Sequence, residues 1–344
     1  MRFLYILLAI LVFGLLIFIH ELGHFICARL CGVGVNEFAI GMGPKVISWV
    51  SKKSGIRYSI RALPLGGYVS MVGEDEESER EDAFSNRSVW KRILIVSAGP
   101  IMNLLLGFLA MAIMVVSSKQ LASTQIVYWP EDGVCISDET GLDSEDIILK
   151  VGNVSVHTGN ELWYEVAHQG DAPLSFTVLR NGEKLVVNDV LFTSEEESGV
   201  TFGKIDFRIR EEAFSFGNVM KHTFFRSVSM VKMIIDSFAD LLQGRYGVEA
   251  MSGPVGMTQS VATAAEDGFS SLLNIFVLIT INLGVFNLFP IPALDGGRLL
   301  FLLIEAVTRR RVNKDVEGYI HFAGLVLLLG LILFVTFNDV IKLF

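Results

Sequence analysis

His20-Glu-Leu-Gly-His24 ends a run of residues 3–19 that contains no charged side chain. On a helix, His20 and His24 lie one turn apart on the same face, so both imidazoles can reach one cation. Glu21 stands beside them, where it can take a proton from an attacking water. The motif is typical of a zinc peptidase, and the apolar run before it indicates a membrane span.

The composition is that of a membrane protein. Of the 344 residues, 51% are hydrophobic and 19% are charged, and the mean hydropathy is +0.52. Such a chain is too apolar for a soluble protein of this length, so we expect several spans and the lipid bilayer as a partner. The net charge of −9 argues against a nucleic-acid partner, which would need a basic surface.

The three cysteines, an odd number, do not form a disulfide framework. Cys27 and Cys31 follow His24 at helical spacing, so a metal site with four His and Cys ligands is one interpretation. The other is that both cysteines are small buried apolar side chains. The N-terminal run is long for the apolar part of a signal peptide and carries the metal motif directly, so we interpret it as a retained span.

Four segments are long and apolar enough to cross a hydrocarbon core as helices, which takes about 20 residues. They are residues 1–28, 93–117, 271–290 and 319–338. Basic residues gather in the loop between the first two spans and in the loop between the last two. The positive-inside rule therefore predicts that both loops are cytoplasmic and both termini extracytoplasmic, with the metal motif in the cytoplasmic half of the first span.

Residues 32–72, between the first two spans, show short strand patterns. Non-helical backbone at membrane depth is stable only where protein covers it or where it lines a wet cavity. One interpretation is a membrane-associated sheet that lies beside the metal and offers its edge to an extended substrate. The other is a cytoplasmic β domain that only caps the spans.

The stretch between the second and third spans is predicted to fold outside the bilayer. Residues 120–196 alternate strand patterns with one short helix, which suits a small peptide-binding module. Residues 211–245 form an apolar-rich helical pattern with interspersed lysine and arginine. This amphipathic helix could lie on the membrane surface, or it could pack on the module as an ordinary helix.

A catalytic zinc usually has three protein ligands and an open position for water, so a third ligand must come from elsewhere in the chain. The best candidate is Asp295, in a segment (291–318) that follows a helix interrupted by Pro290 and Pro292. A carboxylate at membrane depth is costly unless it is paired or bound to a cation. Alternatively, Asp295 caps a helix that starts at Gly296, or it faces water.

Five motifs together resemble those of the site-2 protease family of intramembrane zinc metalloproteases, in particular its bacterial RseP-type branch. They occur in the order of the family and span nearly the whole chain. The motifs are His20-Glu-Leu-Gly-His24, Pro64-Leu-Gly-Gly-Tyr68, Ala98-Gly-Pro-Ile-Met-Asn103, Ser252-Gly-Pro-Val-Gly256 and Asn287-Leu-Phe-Pro-Ile-Pro-Ala-Leu-Asp-Gly296.

The resemblance implies a multi-span α-helical membrane protein with four transmembrane helices, a membrane-associated β region and an inserted PDZ-like α+β domain. It implies Zn²⁺ as the cofactor, with His20, His24 and Asp295 as the metal ligands. Glu21 would be the catalytic general base.

The resemblance also implies substrate-binding residues. Asn282 and Asn287 match family asparagines near the substrate backbone, and Gly66 and Gly67 match the β-loop that presents the substrate. In the PDZ-like domain, the segment 141–148 matches the Gly-Leu…Asp-x-Ile element, but Ser and Glu replace the expected Pro-Gly.

The predicted function is that of a zinc-dependent intramembrane endopeptidase in the bacterial plasma (inner) membrane. Its partners would be membrane-embedded substrates, namely single-span proteins such as anti-sigma factors, membrane-bound regulators or remnant signal peptides. The PDZ-like domain would filter these substrates by size. Two alternatives are a non-catalytic membrane-anchored PDZ scaffold, which would not need the carboxylate of Glu21, and a metal transporter that uses the His/Asp cluster as its ion site.

Overall fold

The computed structural model describes residues 2–74, 78–130, 135–197, 200–245, 247 and 251–342. The chain divides into two compact units, one of residues 1–107 with 252–344 and one of residues 108–251. The helices α1 to α8 are, in chain order, Arg2–Leu30, Val89–Ser118, Gly159–Gln169, Phe216–Leu242, Pro254–Asp267, Phe269–Leu288, Asp295–Thr308 and Lys314–Ile341.

Four of the described helices, α1, α2, α6 and α8, are long and apolar enough to cross a membrane. They coincide with the four segments in which the sequence predicts spans. Helix α8 begins at Lys314, before the predicted 319, because its polar first turn carries no hydropathy signal. That turn is stabilised by Asn313, whose side chain accepts the backbone N–H of Asp315. The chain is therefore an integral membrane protein.

The third span is broken after Leu288, and α7 begins at Asp295. The two prolines between them cannot continue a helix, and Ala293 adopts a positive φ of 75° that turns the chain sharply. The N-cap of α7 is Leu294, and no side chain caps this helix. The alternative in which Asp295 serves as a helix cap is therefore wrong.

The strands β1 (Val35–Val50) and β2 (Arg57–Met71) form one antiparallel sheet in which each strand bends and pairs twice. Phe38 in the first half of β1 has register partners on both sides, Val69 and Tyr58. The second half of β1 pairs with the start of β2. Within the described chain, residues 67–71 therefore have partners on one side only and form an edge of the sheet, here called the edge segment.

A buried carboxylate, Glu37, links β1 and β2 of this sheet through side-chain hydrogen bonds. It accepts hydrogen bonds from Ser59 Oγ at 2.6 Å, Arg61 Nη2 at 3.1 Å and Lys45 Nζ at 3.2 Å. Burial alone would raise the pKa of Glu37, but the three donors outweigh it and lower the pKa from 4.5 to about 2. Arg61 also donates to the hydroxyl of Tyr68, so the network reaches the edge segment.

The second unit contains a six-stranded sheet and a separate hairpin. The sheet order is β10-β3-β4-β6-β7, with β5 beside β4, and β8 pairs with β9. These strands, β3 to β10 in chain order, are Ala122–Tyr128, Ile147–Val151, Val154–Ser155, Leu174–Arg180, Glu183–Val190, Thr193–Glu197, Val200–Lys204 and Arg208–Glu211.

Helix α4 packs on α3 through polar side chains. The Tyr164 hydroxyl donates to Asp236 at 2.9 Å, and His168 Nε2 lies 2.8 Å from Asp240. This agrees with the interpretation of residues 211–245 as a helix packed on the module. A row of apolar side chains on α4 nevertheless stays exposed. These are Phe216, Met220, Phe224, Val228 and Ile235.

We expect Glu37→Gln to lower the melting temperature in detergent by a few degrees near neutral pH. Because the folded-state pKa of Glu37 is depressed, its contribution to stability is present above pH 4.5 and is lost as the pH falls from 4.5 towards 2. The difference in melting temperature between wild type and variant should therefore shrink at about pH 3. A difference that is equal at about pH 7 and about pH 3 would show that the ionised carboxylate contributes nothing.

Candidate metal centre

Three side chains from α1 and α7 converge on one point. His20 Nε2 lies 3.1 Å from Asp295 Oδ2, His24 Nε2 lies 3.3 Å from the same oxygen, and the two Nε2 atoms are 3.3 Å apart. Ligand atoms at about 2.0 Å from a tetrahedral zinc lie about 3.3 Å from one another. The triangle therefore has the size of one face of a zinc coordination tetrahedron. Among the described residues, no other group of three His, Cys, Asp or Glu converges in this way.

Glycines let α1 and α2 approach at this point. A Cβ at Gly99 of α2 would collide with His24 Nε2, and a Cβ at Gly23 of α1 would collide with the carbonyl oxygen of Ala98. Small residues allow this close packing of apolar helices. Pro100, which follows Gly99, has no backbone N–H to donate to the preceding turn of α2. The backbone of α2 can therefore lie directly against His24.

The hydrogen bond of His24 to α2 sets its tautomer. His24 Nδ1 lies 2.9 Å from the carbonyl oxygen of Ile95, and a carbonyl can only accept. Nδ1 must therefore carry the hydrogen, which leaves the lone pair of the neutral imidazole on Nε2, facing the cluster. A backbone carbonyl behind a histidine is a common support for a metal ligand.

Asn103 of α2 supports His20 in the same way. The Asn103 side chain is fully buried, its Nδ2 lies 3.2 Å from His20 Nδ1, and its Oδ1 is buried without a partner. The two ends of an amide have nearly the same shape, so a rotated Asn103 places Oδ1 against Nδ1 in the same space. Oδ1 then accepts the Nδ1–H of His20, which leaves the His20 Nε2 lone pair towards the cluster.

Asp295 supplies an independent indication of a cation. Its Oδ2 is buried and accepts no hydrogen bond, although both Nε2 atoms lie within 3.3 Å. Three lone pairs that face one another at this distance repel unless a proton or a cation lies between them. The residues present therefore fit a metal ion, and two imidazoles with one carboxylate are a donor set that zinc accepts.

A cavity of about 190 Å³ opens at the cluster and brings Glu21 and the edge segment to it. A Cβ at Gly67 would lie 2.9 Å from Glu21 Cγ, so β2 passes in direct contact with the general-base candidate. The sheet edge is thus part of the site, which favours the first interpretation of residues 32–72 over a β domain that only caps the spans.

The other residues singled out in the sequence lie as follows. Gly66 precedes Gly67 with a φ of 74°, a left-handed conformation that favours glycine. Asn282 and Asn287 are half-buried on α6, and neither lines the cavity. The structure therefore brings Gly67 to the cluster and leaves the two asparagines outside the cavity wall.

Cys27 and Cys31 pack against the apolar cluster that contains Val33 and Phe38. Neither cysteine belongs to the group of convergent ligand atoms in the described chain. The four-ligand interpretation with His and Cys is therefore not supported, and the second interpretation, small apolar side chains, agrees with the structure.

Sequence reasoning assigned no role to three polar side chains of the cavity wall, Tyr68, Glu74 and Arg298. Arg298 Nη1 donates to Glu74 in an ion pair that ties α7 to the chain after β2. Arg298 lies three residues after Asp295, and this spacing on one helix face was the available signal. Glu74 was hidden in the acidic run 74–82, of which residues 75–77 lie outside the described residues.

Comparison with known proteins agrees with this chemistry. The model of peptidase family M50 matches residues 8–331. A protein of Clostridium acetobutylicum, provisionally named a zinc metalloprotease, is 37% identical over 99% of this chain and 98% of its own length. The zinc metalloprotease RasP of Geobacillus kaustophilus is 30% identical over 97% of each chain. The regulator of sigma-W protease RasP of Bacillus subtilis is 27% identical over 97% of this chain and 98% of its own length.

We expect Gly99→Ala to reduce the zinc content of the purified protein to a small fraction of the wild-type value, because the added Cβ displaces His24 Nε2. Gly14→Ala is the matched control, since Gly14 lies on α1 with open space around it. Metal analysis after dialysis against a weak chelator measures both variants. Equal zinc content in Gly99→Ala and Gly14→Ala would contradict the packing of α2 on a metal ligand.

We expect Asn103→Leu to weaken zinc binding about 10–100-fold, the usual cost of losing the support behind a ligand histidine. Asn103→Asp should retain most of the affinity, because its carboxylate can accept the Nδ1–H of His20. Competition with a fluorescent zinc chelator gives both affinities. If the two variants lose zinc equally, Asn103 contributes packing and does not orient His20.

Proposed function

The chain belongs to peptidase family M50 and is a zinc metalloprotease, and we propose that it is an intramembrane endopeptidase that cleaves the transmembrane segments of single-span membrane proteins. One observation carries the proposal. His20, Glu21 and His24 lie within Ile6–Leu30, a helix long and apolar enough to cross a membrane. A hydrolytic site on such a helix is accessible to substrates that enter through the lipid.

The proposed roles follow the geometry. His20, His24 and Asp295 would hold the zinc, and Glu21 would act as the general base. Zinc bound there would supply a Lewis acid that lowers the pKa of water and polarises the scissile carbonyl. Glu21 would take a proton from the attacking water and later pass it to the leaving amine. The contact of Gly67 with Glu21 leaves this carboxylate at the sheet edge, where an extended substrate would lie.

The edge segment would hold the substrate. A transmembrane helix keeps its carbonyls in intrahelical hydrogen bonds, so it must be unwound before attack. Residues 67–71 have a free side in the described sheet and can pair with an extended peptide. Gly66 and Gly67 would keep the backbone of the substrate close to Glu21. We further propose that Asn282 and Asn287 contact the substrate backbone from α6.

The bilayer would also contact the outer part of the β region. Exposed apolar side chains lie on both faces of the second half of β1. A strand with one face in water would instead alternate apolar and polar side chains. Their exposed fractions exceed one half, as for Val46 at 65% and Trp49 at 52%. We propose that this part of the sheet lies in the membrane rather than in the cytoplasm.

We propose a multi-pass protein of the bacterial plasma membrane with both termini and residues 120–196 extracytoplasmic. The basic residues near the span ends support this orientation, which places the metal in the cytoplasmic half of the bilayer. The segments 291–318 and 32–72 would then lie on the cytoplasmic side of the bundle.

The module of residues 120–196 would act as a PDZ-like filter for substrates whose outer domain has been shortened. Asp146, which ends its Gly-Leu…Asp element, is buried and accepts two hydrogen bonds from Arg180 at 2.7 Å. Part of the loop that would receive a peptide carboxylate, residues 131–134, lies outside the described residues.

The substrates would be regulators held in the membrane by one span. The Bacillus subtilis relative is named for the regulation of sigma-W, and by this likeness we propose anti-sigma factors or other membrane-bound regulators. Remnant signal peptides are a second group of proposed substrates, because each of them is also an isolated apolar helix.

Glu21→Gln should bind zinc as wild type does and should cleave about 10²–10⁴-fold more slowly, the usual loss when a general base is removed. The substrate is a single-span reporter with a Leu/Ala-rich helix and a central Gly-Pro pair, reconstituted with the enzyme in phosphatidylethanolamine and phosphatidylglycerol vesicles. Fragments are identified by mass spectrometry, and Asp295→Asn, which should lose zinc, is the companion variant. Undiminished cleavage by Glu21→Gln would refute the assigned base.

A further inference from the structure

A second, larger cavity of about 490 Å³ lies beside the metal cavity. Its walls come from α2, α7 and α8. Glu74, Val96 and Arg298 line both cavities, so the two share a boundary. None of the mechanistic steps above uses the larger cavity.

The volumes indicate which cavity can enclose a ligand. Sites that enclose a small ligand have about 300–1,000 Å³. The metal cavity, at about 190 Å³, is too small to cover more than the reacting bond and its neighbours. The larger cavity falls within the range and shares three lining residues with the metal cavity.

His321 of α8, in the wall of the larger cavity, has a ring N–H donor without a hydrogen-bond partner. Its Nδ1 accepts the backbone N–H of Ala293 at 3.0 Å, so the hydrogen of the neutral ring must be on Nε2. That Nε2 is buried and has no partner, and His321 lines the cavity. An unsatisfied buried donor is costly, and a peptide carbonyl in the cavity would satisfy it.

The charges of the cavity fit a polypeptide better than a phosphate. Arg92 already donates to Glu305 at 2.5 Å, and Arg298 is paired with Glu74. A further carboxylate, Glu317, lines the wall. A site for an anionic headgroup would instead gather cations that have no carboxylate partner. The wall also carries Arg311, which lies 3.8 Å from Glu305, and Lys314, so that four basic side chains face three carboxylates. Apolar side chains, with Phe301 and Leu325 among them, complete the lining.

We propose that this cavity binds the substrate polypeptide on one side of the scissile bond, with His321 Nε2 as a donor to a backbone carbonyl. The proposal rests on the proposed function, because it takes the metal cavity as the place of cleavage. The stretch of substrate that pairs with the edge segment and the stretch that enters the cavity would then lie on opposite sides of the bond.

Photo-crosslinking tests the occupant directly. Phe322→p-benzoylphenylalanine places the probe on the cavity wall, and Phe337→p-benzoylphenylalanine is the control on the same helix. Both phenylalanines are 66% exposed, and only Phe322 lines the cavity. In the Glu21→Gln protein with the Gly-Pro reporter, we expect crosslinks from position 322 to reporter residues on one side of the Gly-Pro pair and none from position 337.

The outcomes separate the two proposals. If wild type cuts the reporter but position 322 crosslinks no reporter, or crosslinks phospholipid alone, the cavity proposal is overturned and the protease assignment stands. Crosslinks to both sides of the Gly-Pro pair in equal amount overturn it as well. If wild type does not cut the reporter but position 322 still crosslinks one side of it, the protease proposal fails and the cavity remains a polypeptide site.

Two substitutions at His321 test the donor. Asn can replace Nδ1 as the acceptor for Ala293 but lacks the Nε2 donor, so His321→Asn should raise the KM for the reporter about fivefold with kcat and zinc content unchanged. Gln can replace the donor but loses the bond to Ala293, so His321→Gln should lower the zinc content by loosening the turn before Asp295. A KM equal to wild type in His321→Asn, or an equal loss of zinc in both variants, would contradict the role of Nε2.

Discussion

The structure depends on three lone pairs that meet in an apolar helix bundle. His20, His24 and Asp295 bring acceptor atoms within 3.3 Å of one another, an arrangement that is stable only if a proton or a cation lies between them. Several features of the fold serve this convergence. Helix α1 supplies two of the side chains at helical spacing, and the break before α7 brings the third one, Asp295, to them. Gly99 has no side chain that would collide with His24 Nε2. The Asn103 side chain contacts Nδ1 of His20, on the opposite edge of the ring from Nε2.

Two further features adjoin the three ligand side chains. Gly67 brings the edge of the sheet against Glu21. The ion pair of Arg298 and Glu74 lines both the metal cavity and the larger one. Since α7 carries both Asp295 and Arg298, one helix holds a metal ligand and a wall of both cavities. A substrate that crosses the N-terminal end of α7 would therefore contact the walls of both cavities.

Much of this could be predicted from the sequence, and the limits have physical causes. Hydropathy located the four spans, and the cost of a carboxylate in lipid singled out Asp295. The contact of Asn103 with His20 could not be predicted, because it depends on how α2 is rotated against α1. The contact of His321 with Ala293 and the ion pair of Arg298 with Glu74 join distant parts of the chain, for which no local pattern exists. The position of Gly67 against Glu21 could not be predicted either, because it depends on how β2 packs on α1.

If His20, His24 and Asp295 hold the zinc, two imidazoles and one carboxylate bind it without a thiolate. X-ray absorption spectroscopy at the zinc edge of the purified protein in detergent measures this ligand set. We expect a first shell of nitrogen and oxygen at about 2.0–2.1 Å, with imidazole scattering from two histidines. Asp295→Asn should lose the metal or change this shell, whereas Cys27→Ala and Cys31→Ala should leave it unchanged. A sulfur shell at about 2.3 Å, or a spectrum that does not depend on Asp295, would contradict this ligand set.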